Sequence, residues 1–161
     1  WEQRELGELV DIKSGYSPSK FREVNIGELF LKVDDLNHTI KNQNYSKIKV
    51  KKTDLFNLIP AKSVIFPKRG AAILTNKIRL LNQESYIDTN LMALIPIKIE
   101  SEFLFYIIGK TGLYKMADTS TIPQINNKHI EPYSIKIPKL NEQKKIACFL
   151  NNIDQTITLL Q

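Results

Sequence analysis

Five aliphatic residues near the C-terminal end recur at alternating spacings of four and three: Ile146, Leu150, Ile153, Ile157 and Leu160. That seam predicts one helix over residues 141–161, about 30 Å long at ~1.5 Å rise per residue. Asn141 is the expected N-cap, and Glu142 and Gln143 fall in the first turn, where the helix dipole favours a carboxylate. An apolar seam has to be covered, either by its own domain or by another helix. The pattern is still running where the chain stops, so it is expected to open a longer helix. Trp1 in place of an initiator methionine points the same way, to an excerpt or a processed chain.

Upstream of this helix the apolar patterns are short and mostly strand-like. Residues 3–13 fit a short amphipathic helix running into a strand that ends at Gly15. Residues 29–33, 63–66 and 91–97 read as buried strands, and 134–138 as a short alternating one. Residues 45–52 alternate, with Ile48 and Val50 facing one way and Lys47, Lys49 and Lys51 the other, which predicts a half-exposed strand with a cationic face. Pro67-Lys68-Arg69-Gly70 is a turn signal, and residues 71–74 are expected to return as a strand, placing Lys68 and Arg69 at a hairpin tip. Residues 102–117 carry an apolar helical face interrupted near Gly109 or Gly112. Strands first and helices last predicts an α+β fold rather than a regular βαβ alternation. At 161 residues and 42% hydrophobic, the chain suits one cored domain, or one domain with an appendage.

Charge is unevenly spread. The net charge is +6, yet residues 36–83 hold ten basic side chains and one acid, Asp54, while the rest of the chain nets −3. A concentrated basic block is the electrostatic footprint of a polyanion partner, although a solvated lysine-rich face has the same composition. Cys148 is the only cysteine, which excludes an intrachain disulfide and a thiolate zinc cluster. There is no basic-then-apolar secretory start, and no apolar run approaches the ~20 residues that span a bilayer. A reducing, cytoplasmic location without a membrane partner is the expectation.

Motifs of small-molecule catalysis are absent. No G-x-G-x-x-G occurs, and Gly109-Lys110-Thr111 lacks the upstream glycine of a phosphate loop, position 104 being Leu104. His38 and His129 stand alone. Glu142-Gln143-Lys144 matches half of a metal-dependent nuclease motif and would need Asp118 or Asp34 beside it, but a carboxylate in a first helical turn is already explained by the dipole. No catalytic or metal-ligating residue is assigned. What the chain does carry is a set of polar loops with the side chains that read nucleic acid: Asn and Gln suit adenine, Arg suits guanine, and Ser, Thr and Lys suit phosphates. The candidates are Ser17 and Lys20, then Asp34, Asp35, Asn37 and His38, with Lys47 and Lys49 on the alternating strand. Lys68 and Arg69 follow, then Thr75, Asn76, Lys77 and Arg79. The last group is Thr119, Ser120, Thr121, Gln124, Asn126 and Lys128.

Several motifs, taken in order, resemble one family. Trp1, Leu6-Gly7-Glu8-Leu9 and Ser14-Gly15-Tyr16-Ser17-Pro18 resemble the opening of a target recognition domain from the specificity (S) subunits of Type I restriction–modification enzymes. Leu31-Lys32-Val33-Asp34-Asp35-Leu36 is similar to its i-r-v-x-D-L element, and Ile59-Pro60-Ala61-Lys62-Ser63-Val64-Ile65-Phe66 with Arg69-Gly70 to its p-x-G-d-i-l-f…r-G element, Lys62-Ser63 replacing Gly-Asp. Thr121-Ile122-Pro123-Gln124-Ile125-Asn126 resembles the t-x-i-p-x-l-n loop. Pro138-Lys139-Leu140-Asn141-Glu142-Gln143-Lys144-Lys145-Ile146-Ala147 resembles the P-x-x-E-Q-x-x-I-a junction that opens the spacer helix.

The resemblance implies a twisted β-rich recognition domain over 1–140 with a C-terminal helical hairpin, and the beginning of a coiled-coil spacer helix over 141–161. It implies sequence-specific binding of one half of a split site in double-stranded DNA, without catalysis. Methyltransferase (M) subunits that methylate adenine and restriction (R) subunits would be the partners. S-adenosylmethionine, Mg²⁺ and ATP would belong to those partners, and no cofactor to this chain. Ile146, Leu150, Ile153, Ile157 and Leu160 would pack against the spacer helix of a second recognition domain or half-subunit. The rival readings are a protein-assembly module with only non-specific DNA affinity, and a metal-dependent nuclease.

Overall fold

The computed structural model describes residues 1–161, in ten strands and five α-helices with three 3₁₀ helices between them. The two ends of the body that precedes the last helix are tied first. Strand β1 (Glu2–Glu5) pairs antiparallel with the last strand, β10 (Ser134–Ile137), setting Glu2 opposite Ile137. Helix α1 (Leu6–Leu9) is one turn that buries Leu6 and Leu9 and leads into β2 (Val10–Ser14). The central sheet has the order β2-β9-β6-β7-β4, with β4 at Asn42–Gln43, β6 at Val64–Pro67, β7 at Arg79–Leu81 and β9 at Leu91–Pro96. A second sheet has the order β5-β3-β8, with β3 at Glu23–Leu31, β5 at Ile48–Val50 and β8 at Ser85–Ile87.

The apolar runs of β6 and β9 are continuous because both faces of these strands are covered. Val64 and Phe66 of β6 and Met92 and Leu94 of β9 point into the main core, where they meet Phe103, Leu104, Ile108 and Leu113. These come from helix α2 (Ser101–Thr111) and helix α3 (Leu113–Met116), which are separated by a break at Gly112. The alternate residues Ile65, Leu91 and Ala93 form a second core with Leu31, Leu36 and Ile87 from the other sheet and its flanking loop. Helices therefore cover one face of the central sheet and the three-stranded sheet covers the other. A third cluster, Phe30, Val50 and Tyr86 with Phe21 and Phe56, packs within the three-stranded sheet.

Helix α4 (Asn127–Ile130) precedes β10, and α5 (Leu140–Leu159) follows it. Lys139, not Asn141, is the N-cap of α5, and no side chain caps it. Its start is held instead by Gln143, only 2% exposed. Gln143 Oε1 accepts the Glu100 N–H at 2.9 Å, and its Nε2 donates to the Pro138 carbonyl at 2.9 Å. The C-terminal helices α2 and α5 pack side by side and run the same way, since β10 intervenes between them: Glu100 meets Gln143, and Tyr106 meets Asp154. Ala147 is buried and Ile146 packs on the main core, whereas Ile153, Ile157 and Leu160 are 39%, 49% and 83% exposed.

The expected hairpin after β6 does not form. Residues Gly70–Thr75 make a 3₁₀ helix that buries Ile73, and β6 pairs with β9 and β7 instead. Gly70 turns the chain at φ +70°, and its N–H is taken by the Pro123 carbonyl at 2.8 Å. Both sides of β6 are thus taken by β9 and β7, and the loop after α3 pairs with the residues that follow β6. The 45–52 alternation is present with Lys47 and Lys49 exposed and Val50 buried, but only Ile48–Val50 is paired.

Candidate nucleic-acid interface

At one end of the central sheet β2 and β6 finish and β9 begins, with Ser14 opposite Met92 and Pro67 opposite Leu91. Three loop systems converge there. The first is the strand end itself. Lys68 is pinned at both backbone positions, its N–H donating to the Asn90 carbonyl and its C=O accepting from Ile125, each at 2.9 Å. Its side chain is buried, and Nζ donates to Ser14 Oγ at 2.9 Å. Burial and the adjacent Arg69 guanidinium push the Lys68 amine below its ordinary value, against the opposing pull of Asp88. Burial pushes the Asp88 carboxyl up, opposed by the N–H of Asn90 and the charge of Lys32. Asn90 donates that bond to Asp88 Oδ1 at 2.7 Å.

The second system is the loop 118–126. Asp118 and Gln124 exchange backbone hydrogen bonds at 2.9 and 3.0 Å, closing the loop, and Gln124 also bridges to Arg69. The Ser120 N–H bonds to Asp118 Oδ1 at 3.0 Å and holds that carboxyl below its usual range. Thr119, Ser120, Thr121 and Gln124 are left exposed beside the exposed Arg69. Asn126 is exposed and donates its N–H to His129 Nδ1 at 2.9 Å at the start of α4, which carries the exposed Lys128.

The third system is the 3₁₀ helix Val33–His38, which exposes Asp34, Asn37 and His38. Lys77 Nζ donates to Asn37 Oδ1, linking this wall to the one after Gly70–Thr75, and His38 stacks on Tyr45 with ring centroids 4.5 Å apart. Thr75 is exposed, its hydroxyl donating to the Ala72 carbonyl at 2.6 Å.

Besides Lys68, three of the side chains expected to read DNA are spent inside the fold. Asp35 is 4% exposed, and its two oxygens accept the N–H groups of Lys32 and Lys47, each at 2.8 Å. Asn76, in the left-handed region at φ 50°, donates to the Gly109 carbonyl at 3.0 Å and accepts from the Leu113 N–H at 2.9 Å, stapling the α2–α3 break. Arg79 donates to the carbonyls of Leu36 and Ile78 and to Thr39 Oγ1, and burial pushes its guanidinium below the ordinary value. A polar loop reveals residue type, but the direction of a side chain is decided by partners as far as 43 residues away.

A second basic surface lies along the three-stranded sheet. Lys49 is exposed on edge strand β5, and Lys47 is exposed immediately before it. Lys20, Arg22, Lys51 and Lys52 line one cleft, where Lys20 Nζ stands 5.4 Å from the centre of the Phe56 ring. Ser17 Oγ shares a 2.8 Å hydrogen bond with Ser19 Oγ at its approach. Lys51 and Lys52 belong to the lysine-bearing 45–52 segment of the sequence, whereas Arg22 is not among the sequence candidates and joins them only through the Lys51 N–H bond to the Arg22 carbonyl at 2.9 Å. Glu142, the carboxylate of the nuclease alternative, accepts from Trp1 Nε1 at 3.2 Å, and His, Cys, Asp and Glu nowhere gather in threes. No helix is long and apolar enough to cross a membrane.

A family model described as the Type I restriction modification DNA specificity domain matches residues 1–161. Among solved structures, a chain from work on complex assembly and conformational transition of the type I R-M system superposes with TM-score 0.82 at 23% identity, covering 99% of this chain and 40% of that one. The HsdS subunit from Thermoanaerobacter tengcongensis gives 0.76 at 24% identity, covering 99% and 39%. The Type I restriction–modification S subunit from M. genitalium gives 0.64 at 18% identity, covering 99% and 40%. The chain thus spans about 40% of the length of the solved chains it matches.

Proposed function

The chain belongs to the Type I restriction modification DNA specificity domain family, and from that premise we propose that it is a target recognition domain reading one half of a bipartite site in double-stranded DNA. The observation that carries this reading is the rim at the end of the central sheet. There Arg69 is held against the closed loop 118–124 by two backbone links, Gln124 to Arg69 and Pro123 to Gly70. A rigid backbone with exposed Arg, Thr, Ser and Gln side chains suits base-edge contacts, which need fixed geometry. The exposed lysines at β5 and of the cleft formed by Lys20, Arg22, Lys51 and Lys52 would supply phosphate affinity, steeply dependent on salt.

In this reading the domain catalyses nothing. Adenine methylation and cleavage belong to methyltransferase and restriction subunits, which also hold S-adenosylmethionine, Mg²⁺ and ATP. The exposed residues Ile153, Ile157 and Leu160 support α5 as a spacer helix that pairs with a second one and carries the partner subunits. The test is a selection from randomised duplex DNA using the specificity subunit that carries this domain, assembled with its methyltransferase. Enrichment of one short motif at a fixed half-site is expected. Arg69→Ala should relax the preference at one or two positions, at about 1–3 kcal/mol for each bidentate pair removed. Binding without any enriched motif would reduce the domain to a non-specific basic surface.

A further inference from the structure

The direction in which α5 leaves the domain is fixed at two places. The first is Gln143, bonded to Glu100 and Pro138 at the start of the helix. The second is centred on Lys41, immediately before β4, with a side chain 12% exposed. Its ammonium donates to Glu102 Oε2 at 3.3 Å and Tyr106 Oη at 3.2 Å on α2, and to Asn151 Oδ1 at 2.8 Å on α5. It also stands 4.8 Å from the centre of the Tyr106 ring and 5.5 Å from that of Phe105. Tyr106 Oη in turn donates to Asp154 Oδ2 at 2.6 Å. Burial, then the Asp154 carboxylate, push the Tyr106 phenol well above its ordinary value, so its hydroxyl keeps its proton.

Asn151 and Asp154 are three residues apart and share one helix face. Beyond them, Thr156 and Thr158 turn their hydroxyls back to α5's own carbonyls, at Asn152 and Asp154. The two attachments lie about 16 Å apart along the axis at most, from Gln143 to Asp154, and the helix runs on about 8 Å past the second. A helix held only at Gln143 would pivot there. A tilt of about 10° about that point moves the far end by about 4 Å, more than the ~3.4 Å rise of one base pair. Apolar packing alone resists such a swing weakly, because it has no preferred direction. Part-buried, charge-assisted hydrogen bonds to two helices do have one.

We propose that Lys41, acting with Tyr106, is a positioning residue: it fixes the angle at which the spacer helix leaves the recognition domain, and so sets the gap between the two half-sites. This rests on reading α5 as a spacer helix. The experiment is a methylation selection by the assembled complex, on a duplex library that varies both the half-site and the gap length. The wild type should enrich one half-site at one gap. Lys41→Met should keep the half-site but lower the preference for that gap over its neighbours by about tenfold, the loss expected from one charge-assisted bond. Asp154→Asn, which alters only the hydroxyl–carboxylate link, and Tyr106→Phe, which also removes one acceptor of the Lys41 ammonium, should fall between. An unchanged gap preference in folded variants overturns the proposal, as does a changed half-site in Lys41→Met. If Lys41→Met does not fold, the two milder variants decide on the same criterion. A wild type that enriches no half-site would instead sink the recognition reading, and the latch with it.

Discussion

Arg79→Ala removes a guanidinium that donates twice to the Leu36 carbonyl, through Nε at 3.1 Å and Nη2 at 2.7 Å, and also to Thr39 Oγ1 and the Ile78 carbonyl. The 3₁₀ helix Val33–His38, one wall of the rim, is thereby tied to β7. A hydrogen bond from a charged donor contributes about 1.5–3 kcal/mol, and a carbonyl left unpaired costs about 1–3 kcal/mol. The bonds share one carbonyl and burial of the guanidinium itself is unfavourable, so they do not add, and a net loss of about 2–3 kcal/mol is expected. For a domain of this size that lowers Tm by about 5–10 °C. Arg79→Lys keeps the charge but not the fork, and should lose about half as much.

The assay pairs thermal unfolding with DNA binding across a salt series on a mixed-sequence duplex. If the guanidinium is spent inside the fold, both variants are less stable, and the slope of log K against log salt matches the wild type below their unfolding range. If Arg79 instead neutralises a phosphate, the slope becomes shallower by about 0.9 in Arg79→Ala. A variant with wild-type Tm and a slope reduced by about 0.9 would refute the reasoning from hydrogen-bond geometry.

Gly15→Ala places a Cβ 2.0 Å from the Asp88 carbonyl oxygen and 2.2 Å from that of Ile87, so the crossing of the two sheets must open; urea unfolding should show a loss of at least about 3 kcal/mol. Asp88→Asn keeps the acceptor for the Asn90 N–H while removing a carboxylate whose folded pKa is raised by burial. The ionised form is disfavoured in the fold, so wild-type stability is reduced above the raised pKa and recovers as pH falls through it. Asn should therefore be the more stable variant at pH 7, and its advantage should shrink towards pH ~4, near the unfolded carboxyl value; an advantage constant with pH would remove the burial argument.

The parts of the fold that a sequence reader finds are those with one dominant cause. Strands β6 and β9 are continuous apolar runs because two layers cover them, and no other element competes for that pattern. Helix α5 is visible through its seam, although the seam meets the core only at its start: Ile146 lies on the core and Leu160 stands in solvent. Strands β7 and β8, of three residues each, carry too little pattern to be recognised. Residues 71–74 read as a strand because Ala, Ala, Ile and Leu fit either state, but β6 is already flanked by β7 and β9, segments found later in the chain. The rim is legible in the sequence as a set of polar loops. Their convergence is not, since it depends on β2, β6 and β9 sharing one end.

Charge shows the same limit more sharply. Arg69 and Arg79 are the same residue type ten positions apart within the basic block. Arg69 is exposed beside the loop 118–124, whereas Arg79 is committed to three internal acceptors. Lys41 and Lys68 also have their ammonium groups held within the fold, by the α2–α5 latch and by Ser14. Three of the ten basic side chains between residues 36 and 83 therefore hold the scaffold in shape, and the charge total overstates what DNA can meet. The remainder is better organised than a solvated lysine face, because the internal cations fix the walls on which the outward ones stand. Lys68 anchors the strand end that presents Arg69, and Arg79 anchors the wall that presents Asn37. A sequence-selective surface needs that division, since an outward cation on a mobile loop gives affinity without register.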